Sequence, residues 1–371
     1  MSRSSDAPQS PPAVSGGETR SAPPSPRGFG KRKVPAFSGD RVPAQGTVNL
    51  LLAVVGAGPV IVLLVIGIVI SLAQPLFYTG GNLQNLLIQS SVIAILGLGQ
   101  LTVILTSGID LSVGSILGLA SVSGGMVYLS YSAGGGLTIV TMLLVGLGVG
   151  VLNGVIYVKG RIPHPFIVTL AMLSLARGAA LAISGGTVQI GMPDAILFAG
   201  QGFIGPVPVP AIIVVLSAAL MYIFLARTKW GRWIYAVGGN EQGARQVGIP
   251  VDKVLISVYA ISGLSAGAAA ILVSGRTASG DPSAGYQAEL DAISAVIIGG
   301  ASFFGGRGTV LNVLVGALTL GVIRNGLDLL SVNPFLQLIA LGAVLLLAVQ
   351  LDVIRERLEG RLRLMRAEAV A

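Results

Sequence analysis

The chain has 371 residues, of which 53% are apolar and only 10% are charged, and its mean hydropathy is +0.84. Soluble domains are about 25% charged, so this composition excludes an ordinary soluble fold and indicates packed transmembrane helices. The absence of cysteine and the single histidine exclude disulfides, thiol nucleophiles and a histidine metal cluster, and no catalytic set is recognised. The net charge of +8 lies at the ends of apolar segments rather than in a basic stripe, which disfavours nucleic-acid binding.

The first segment, residues 1–46, is rich in Ser, Pro, Gly and Arg and shows no apolar period. Such a segment cannot bury enough surface to fold, so we predict a disordered cytoplasmic tail. The apolar segment that follows is too long for a signal peptide.

Ten apolar segments follow the tail and predict an all-α polytopic membrane protein with about ten transmembrane helices. The third and eighth segments are short and dense in Gly and Ser, so we expect short or broken helices there. Such helices are tolerated only where protein or a water-filled cavity satisfies the backbone. The ten segments are residues 48–73, 83–105, 111–130, 137–158, 166–183, 209–226, 254–273, 291–304, 309–327 and 335–351.

The distribution of Lys and Arg predicts that both termini are cytoplasmic. With the amino terminus inside, the amino-terminal tail, the loop around Asp110, the other inner loops and the carboxyl-terminal tail from Arg355 together carry 20 of the 23 basic residues. The predicted localisation is therefore the cytoplasmic (inner) membrane, with a transmembrane domain at 47–354 and a basic cytoplasmic tail at 355–371.

The third and eighth segments also resemble each other. DLSVGSILGLASVSGG, from Asp110, and DAISAVIIGGASFFGG, from Asp291, are identical at seven of sixteen positions. Because these are the third and eighth spans, the repeat unit is five helices, about 47–200 and 201–354. Five crossings invert the second unit, as in many transporters with a pathway between two halves. We expect both segments to be short buried helices that begin at Asp and end at Gly-Gly.

Polar residues of this repeat are candidates for a translocation path. Asp110 either caps the helix that follows it or lines the path, and Asp291 allows the same two interpretations at the outer face. The full candidate set is Ser107, Asp110, Ser112, Ser115, Asp291, Ser294 and Ser302.

A polar interruption between two spans, GRWIYAVGGNEQGARQVGI from Gly231 to Ile249, is the most specific signal in the chain. It predicts a turn, a short helix starting at Asn240 and another turn, which suits docking into a partner protein. The alternative is an ordinary solvated loop. The residues that carry this prediction are Gly231, Arg232, Ala236, Gly238, Gly239, Asn240, Glu241, Ala244 and Gly248.

Other features have simpler interpretations. Gly146, Gly150 and Gly154 recur every four residues and predict close helix packing, within one subunit or between two. Arg177 and Arg324 are expected to extend to a membrane interface rather than to contact substrate. Asp352 is interpreted as lying at a helix end in water.

Four stretches together resemble the ribose-type permease family of bacterial ABC importers, from about Leu83 to Leu351. They are GIDLSVGS, NGVIYVKGRIPHPFIVTLAML, GRWIYAVGGNEQGARQVGI and DAISAVIIGGASFFGGRGTV. The resemblance implies transport of a monosaccharide. It also implies a second permease subunit, with a homodimer as the expected assembly. It also implies partner ATPase domains that bind ATP and Mg²⁺, and an external sugar-binding protein. In that family the loop matching Gly231 to Ile249 contacts the ATPase. Pro163-His164-Pro165 and the long tail depart from the family pattern.

The chain contains no GxxxxGK[ST] phosphate loop, so we expect a transport subunit without ATPase activity or a cofactor of its own. The expected mechanism is alternating access driven by the partner ATPase. An ion-coupled secondary transporter is an alternative, although the predicted span centres hold few ionisable groups. An ABC permease for nucleosides or branched-chain amino acids is another.

Overall fold

Helices make up most of the part of the chain that the computed structural model describes, residues 45–370, and side chains are described for residues 58–354. The predicted tail therefore lies outside the described residues except for residues 45 and 46, which begin the first helix. In chain order the helices are α1 (Gln45–Ala73), α2 (Gly80–Leu105), α3 (Val113–Tyr131), α4 (Gly135–Lys159), α5 (Pro165–Ser184), α6 (Asp194–Gln201), α7 (Val209–Arg227), α8 (Lys229–Gly239), α9 (Glu241–Gln246), α10 (Val251–Thr277), α11 (Ala288–Ile298), α12 (Val310–Leu329) and α13 (Pro334–Val370).

Two short strand pairs complete the described fold. β1 (Gln189–Ile190) pairs antiparallel with β4 (Ser279–Gly280), and β2 (Phe203–Ile204) pairs with β3 (Val207–Pro208). These pairs lie in the connections that follow α5, α6 and α10. They leave the all-α architecture unchanged.

Eight helices of the described region are long and apolar enough to cross a membrane: α2, α3, α4, α5, α7, α10, α12 and the Pro334–Ile354 part of α13. The prediction of a polytopic all-α membrane protein is therefore confirmed. One of the ten predicted spans is shorter, since α11 has only 11 residues. The helix of the first predicted span, α1, has 29 residues, and side chains are described for its part Gly58–Ala73.

The third segment is not the short or broken helix that we expected. α3 is continuous over 19 residues, and the interruption lies before it, at residues 107–112. Ser107 has a φ of 60°, and the chain stays non-helical until Val113. Glycine and serine inside α3 are tolerated because the helix is largely buried among other helices.

The eighth segment is short, as predicted, but it does not repeat the conformation of the third. α11 ends at Ile298 because Gly300 has a φ of 92°, which leaves the helical region. Gly305 and Gly306 form a turn with φ of 86° and 70°, whereas the matching Gly124 and Gly125 lie inside α3. The prediction of two equivalent short helices ending at Gly-Gly is therefore wrong.

The most extensive helix packing of the described region joins α4 to α10. Gly150 of α4 faces Gly263 of α10 so closely that a Cβ built on Gly150 would lie 2.9 Å from the Gly263 Cα. Gly146 faces Gly263 and Gly267, and Gly154 faces Ile256. The four-residue glycine repeat thus packs helices within one subunit.

α10 and α2 occupy the centre of the described helices. α10 contacts α2, α3, α4, α6 and α8, while α2 also contacts α7, α11 and α12. α3 packs on α4 and α5, and α11 packs on α12 and α13. α13 continues as helix to Val370 and so includes most of the residues that we assigned to a carboxyl-terminal tail.

The two ends of α10 define two opposite ends of the described molecule. This helix begins directly after α9, and its 27 residues span about 40 Å at 1.5 Å per residue. β4 follows its far end and holds β1 there. We call the end that carries α8 and α9 the α8–α9 face, and the end that carries α6 and β1–β4 the opposite face.

Candidate functional site

The predicted docking segment contains two consecutive helices. Thr228 caps α8 by accepting a hydrogen bond from Gly231 N–H at 3.2 Å, and Asn240 caps α9 by accepting one from Gly243 N–H at 2.8 Å. Thr and Asn suit these positions because their side-chain oxygens satisfy free amides of a first turn. The predicted helix start at Asn240 is therefore confirmed. Residues before it form helix α8, not the predicted turn.

The predicted residues divide between the surface and the interior. Arg245 of α9 makes exposed ion pairs with Glu241 at 3.0 Å and with Asp252 at 2.9 Å. Hydrogen bonds to Asp252 and Glu241 raise the pKa of Arg245, which keeps this guanidinium charged. Gly231 and Ala244 are buried and Gly238 is partly buried. The exposed residues are Arg232, Ala236, Gly239, Asn240, Glu241 and Gly248.

The end of α8 packs against two other segments of the transmembrane domain. Gly238 lies directly against the Leu105 carbonyl at the end of α2, where any side chain would clash. The same carbonyl accepts a hydrogen bond from Gly306 N–H at 2.9 Å, in the loop between α11 and α12. Tyr235 donates to the Gly308 carbonyl at 2.7 Å. α8 is therefore in direct contact with α2 and with the loop after α11.

Asp110 lies in a buried polar cluster between α2 and α3. Its Oδ1 accepts hydrogen bonds from Ser112 N–H at 2.9 Å and from the Ser112 hydroxyl at 2.6 Å. Its Oδ2 accepts one from the Ser262 hydroxyl of α10 at 2.8 Å. Asn153 of α4 donates to Ser112 Oγ at 2.8 Å. Ser112, not Asp110, is the N-cap residue of α3, so the predicted direct cap is wrong in this detail.

The other serine candidates do not form one site. Ser107 is exposed and donates to the Phe304 carbonyl at 2.8 Å, while Ser115 is buried and donates to the Ser112 carbonyl at 2.8 Å. Ser294 and Ser302 are buried, and Ser302 accepts from Phe304 N–H at 3.3 Å. The structure thus brings Asp110, Ser112 and Ser115 together. It leaves the second set apart from them.

A cavity of about 670 Å³ lies toward the opposite face, which places it within the size range of ligand pockets. Along α2 its lining runs from Asn85 and Gln89 to the apolar residues Ile93 and Leu96. Leu117 of α3 adds to this apolar end. Among the predicted path residues, Asp291 alone lines it. Further polar or aromatic lining residues are Gln201, Phe203, Arg276, Tyr286 and Arg324.

Asp291 and Arg324 form an ion pair in the cavity wall, with Arg324 Nη2 donating to Asp291 Oδ1 at 2.5 Å. The side chains are 14% and 32% exposed, respectively. Arg324 therefore does not extend to a membrane interface, which corrects our expectation.

Arg177 is not a surface residue either. It donates hydrogen bonds to the carbonyls of Ala284 at 2.9 Å and Gly114 at 3.3 Å, and also to that of Pro282. Arg177 lies on α5 and thus links this helix to the loop before α11 and to α3. Asp352 is buried as well and accepts from Phe303 N–H at 2.9 Å, so its predicted place in water is wrong.

The sequence contained one signal for the cavity that we did not use. Asn85 and Gln89 are four residues apart in an apolar span and therefore share a helix face. The contributions of Arg276 and Tyr286 depend on tertiary packing. No cluster of three or more His, Cys, Asp or Glu side chains suited to a metal occurs among the described residues.

Comparisons with known proteins identify relatives over most of the chain. The family described as "Branched-chain amino acid transport system / permease component" matches residues 82–349. The ribose import permease protein RbsC of Escherichia coli strain K12 is 42% identical over 297 residues, covering 79% of this chain and 92% of that protein. RbsC of Bacillus subtilis strain 168 is 39% identical over 302 residues, covering 80% and 92%.

A fructose import permease, FrcC of Rhizobium meliloti, is 37% identical over 284 residues, covering 74% of this chain and 79% of that protein. No solved structure gives a significant match. The chain therefore belongs to the ABC importer permease family that contains these ribose and fructose import permeases.

Proposed function

We propose that this chain is the membrane-spanning permease subunit of an ABC importer for a monosaccharide, a sugar like ribose or xylose. The observation that carries the proposal is its 42% identity to a ribose import permease over 92% of that protein. The cavity supports it, because amide, carboxylate and guanidinium groups line its wall, and such groups bind hydroxyls. The chain does no covalent chemistry, and ATP and Mg²⁺ belong to a partner.

The docking site for the partner ATPase is the exposed surface of α8 and α9. Glu241, Arg245 and Asp252 hold α9 against the start of α10 while their charges stay exposed. Val247 beside them is 78% exposed, which adds an apolar contact point. A short helix held in this way can pass a displacement of the ATPase on to the transmembrane domain as a rigid body. The function of the predicted coupling residues rests on this geometry and on the family resemblance.

Movement of α8 reaches the pathway through α2. Gly238 touches the end of α2 at Leu105, and the other half of α2 lines the cavity from Asn85 to Leu96. A displacement of α8 therefore acts on the helix that carries the apolar end of the cavity. Alternating access follows if this movement separates Leu96 from Leu117 and opens the cavity toward the α8–α9 face.

The helix packing supports two inverted five-helix units and ten spans. If α2 to α5 correspond to α10 to α13, then the contact of α10 with α4 corresponds to that of α2 with α12. The contact of α3 with α4 corresponds to that of α11 with α12, and the contact of α10 with α3 to that of α2 with α11. The pathway lies between these units, as inverted repeats in transporters place it.

The assembly contains a second permease subunit, an ATPase pair on the cytoplasmic side and a sugar-binding protein on the outer side. Both termini and the α8–α9 face are cytoplasmic in this arrangement. The cavity then opens toward the sugar-binding protein. An ion-coupled transporter and importers of nucleosides or branched-chain amino acids are not favoured by the named sugar permeases among the relatives.

Reconstitution tests the proposal. The chain is co-purified with its ATPase and sugar-binding protein, placed in liposomes and supplied with ATP and labelled D-ribose, D-allose or D-fructose. We expect ATP hydrolysis to be stimulated by the loaded binding protein and at least one sugar to accumulate. Accumulation driven by an ion gradient without ATP, or stimulation by an amino acid alone, would overturn the proposal.

A further inference from the structure

The cavity wall contains an ion pair whose hydrogen-bonding capacity is only partly used. Arg324 donates to Oδ1 of Asp291, and within the described residues no protein group is recorded as bonded to Oδ2. A guanidinium has five N–H donors, and a carboxylate has about four lone-pair sites. Both side chains line the cavity and remain partly exposed, Arg324 at 32% and Asp291 at 14%. Acceptor and donor capacity therefore face the same space.

We propose that Asp291 and Arg324 recognise hydroxyl groups of the sugar, and that this pair is a specificity-determining subsite within the permease. The inference rests on the proposed function and deepens it. A sugar hydroxyl donates to one atom and accepts from another, which matches a carboxylate beside a guanidinium. Asn85 and Gln89 on α2 supply amides that donate and accept in the same cavity.

The charges in the cavity define the class of cargo. Arg324 compensates the charge of Asp291, and the Arg276 side chain in the same wall forms no ion pair or hydrogen bond with any described residue. The lining is therefore net positive, which disfavours a cation. The carboxylate accepts hydrogen bonds from hydroxyls, so a neutral polyol uses both members of the pair. An amine-bearing sugar is predicted to be a poor cargo.

The alternative is a purely structural ion pair, since Asp291 lies on α11 and Arg324 on α12. These two roles predict different patterns of transport. Loss of a structural tie reduces the import of all sugars in parallel. Loss of a recognition pair changes the ratio of the import rates of a sugar and of its analogue that lacks one hydroxyl. The intact pair disfavours the analogue because one of its polar groups is then left without a partner, and removal of the pair removes this penalty.

The experiment measures that ratio with the reconstituted complex. Import of D-ribose is compared with import of each monodeoxyribose, with the sugar-binding protein saturated by each sugar so that its selectivity does not enter. For the unmodified chain we expect at least one deoxy sugar to be imported about tenfold more slowly, the loss associated with one charged hydrogen bond. Asp291→Asn and Arg324→Gln should bring that ratio close to one.

A matched control comes from the next residue on α12. Asn325 exchanges two amide hydrogen bonds with Asn82 of α2, each at 2.8 Å, and does not line the cavity. Asn325→Ala should slow all sugars in parallel and keep the ribose-to-deoxyribose ratio. If Asp291→Asn fails to fold, Arg324→Lys retains the charge, removes the planar fork and supplies the same readout.

The outcomes separate the two proposals. A complex that imports no sugar overturns the proposed function itself. A complex that imports ribose, with Asp291 and Arg324 variants behaving like Asn325→Ala, leaves the function intact and overturns the subsite. Equal import of every deoxy sugar by the unmodified chain also overturns the subsite.

Discussion

A single carboxylate, Asp110, joins the turn before α3 to α10. It fixes the turn before α3 through Ser112, and it reaches α10 through Ser262. Its side chain is fully buried, and it forms no ion pair within the described region. Three hydrogen-bond donors take the place of water around it, which is the requirement for burying such a group.

Replacement of Asp110 by alanine should destabilise the protein, because the buried hydroxyls of Ser112 and Ser262 and one amide lose their acceptor. A buried donor without a partner costs about 1–3 kcal/mol, so we expect a loss of at least that size. Thermal unfolding in detergent measures it. Asp328→Ala is the control, since Asp328 is exposed and, among the described residues, its side chain accepts a hydrogen bond only from Gln337, at 2.9 Å. Equal melting temperatures for both variants would contradict the role of Asp110.

Residue chemistry was the part of the site that sequence reasoning predicted least well. The pattern around Asp110 indicated a cap, and the structure shows a tie to α10, which lies about 150 residues away in the chain. Arg324 was placed at a membrane interface because a charge in an apolar span usually extends outward. Its partner Asp291 lies on a different helix, and no local pattern pairs the two.

At the scale of elements, the seam between α4 and α10 depends on glycine on both helices. Gly150→Leu would push a side chain into the Gly263 backbone, so we expect α10 to be displaced and the purified protein to unfold at lower temperature. Overpacking of this kind costs about 1–3 kcal/mol or more. Gly148→Leu is the matched control, because Gly148 lies on the exposed side of α4 with nothing near its Cβ position. An equal loss in both variants would exclude the seam as the cause.

The contact of α8 with α2 gives a second test at this scale. Gly238→Ala places a methyl group against the Leu105 carbonyl, so α8 must move away from α2. We expect ATP hydrolysis by the complex to continue while sugar import per ATP falls several-fold. Gly136→Ala, on α4 with open space around it, should change neither quantity. Unchanged import per ATP in Gly238→Ala would show that force does not pass through this contact.

Element positions were more predictable than residue contacts. Apolar runs located nine of the ten predicted spans as long helices, all except α11, and Asn240 marked the start of α9. The repeat between α3 and α11 misled us, because seven identities in sixteen aligned residues do not determine where a helix ends. Glycine permits both a helix interior, as at Gly124, and a left-handed turn, as at Gly305.

At the scale of the whole molecule, the sequence predicts a direction in the membrane. The α8–α9 segment is rich in Lys and Arg, and basic loops stay on the cytoplasmic side. The cavity lies toward the other end, where β1 and β4 pair. The proposed function requires the α8–α9 face to meet the ATPase in the cytoplasm and the cavity to open on the outer side. Both requirements are met by the same orientation, which a labelling experiment can test.

The chain has no native cysteine, so single cysteines report their side of the membrane without background. Asn240→Cys lies at an exposed position of the α8–α9 face, and Ile190→Cys lies in β1, where the native side chain is 82% exposed. A thiol reagent that cannot cross the membrane should label Ile190→Cys in intact cells and Asn240→Cys only after the membrane is opened. α10, about 40 Å long, runs between the two ends of the molecule that carry these positions. Labelling of Asn240→Cys in intact cells would show that the chain has the opposite orientation in the membrane. The cavity would then face the ATPase rather than the sugar-binding protein.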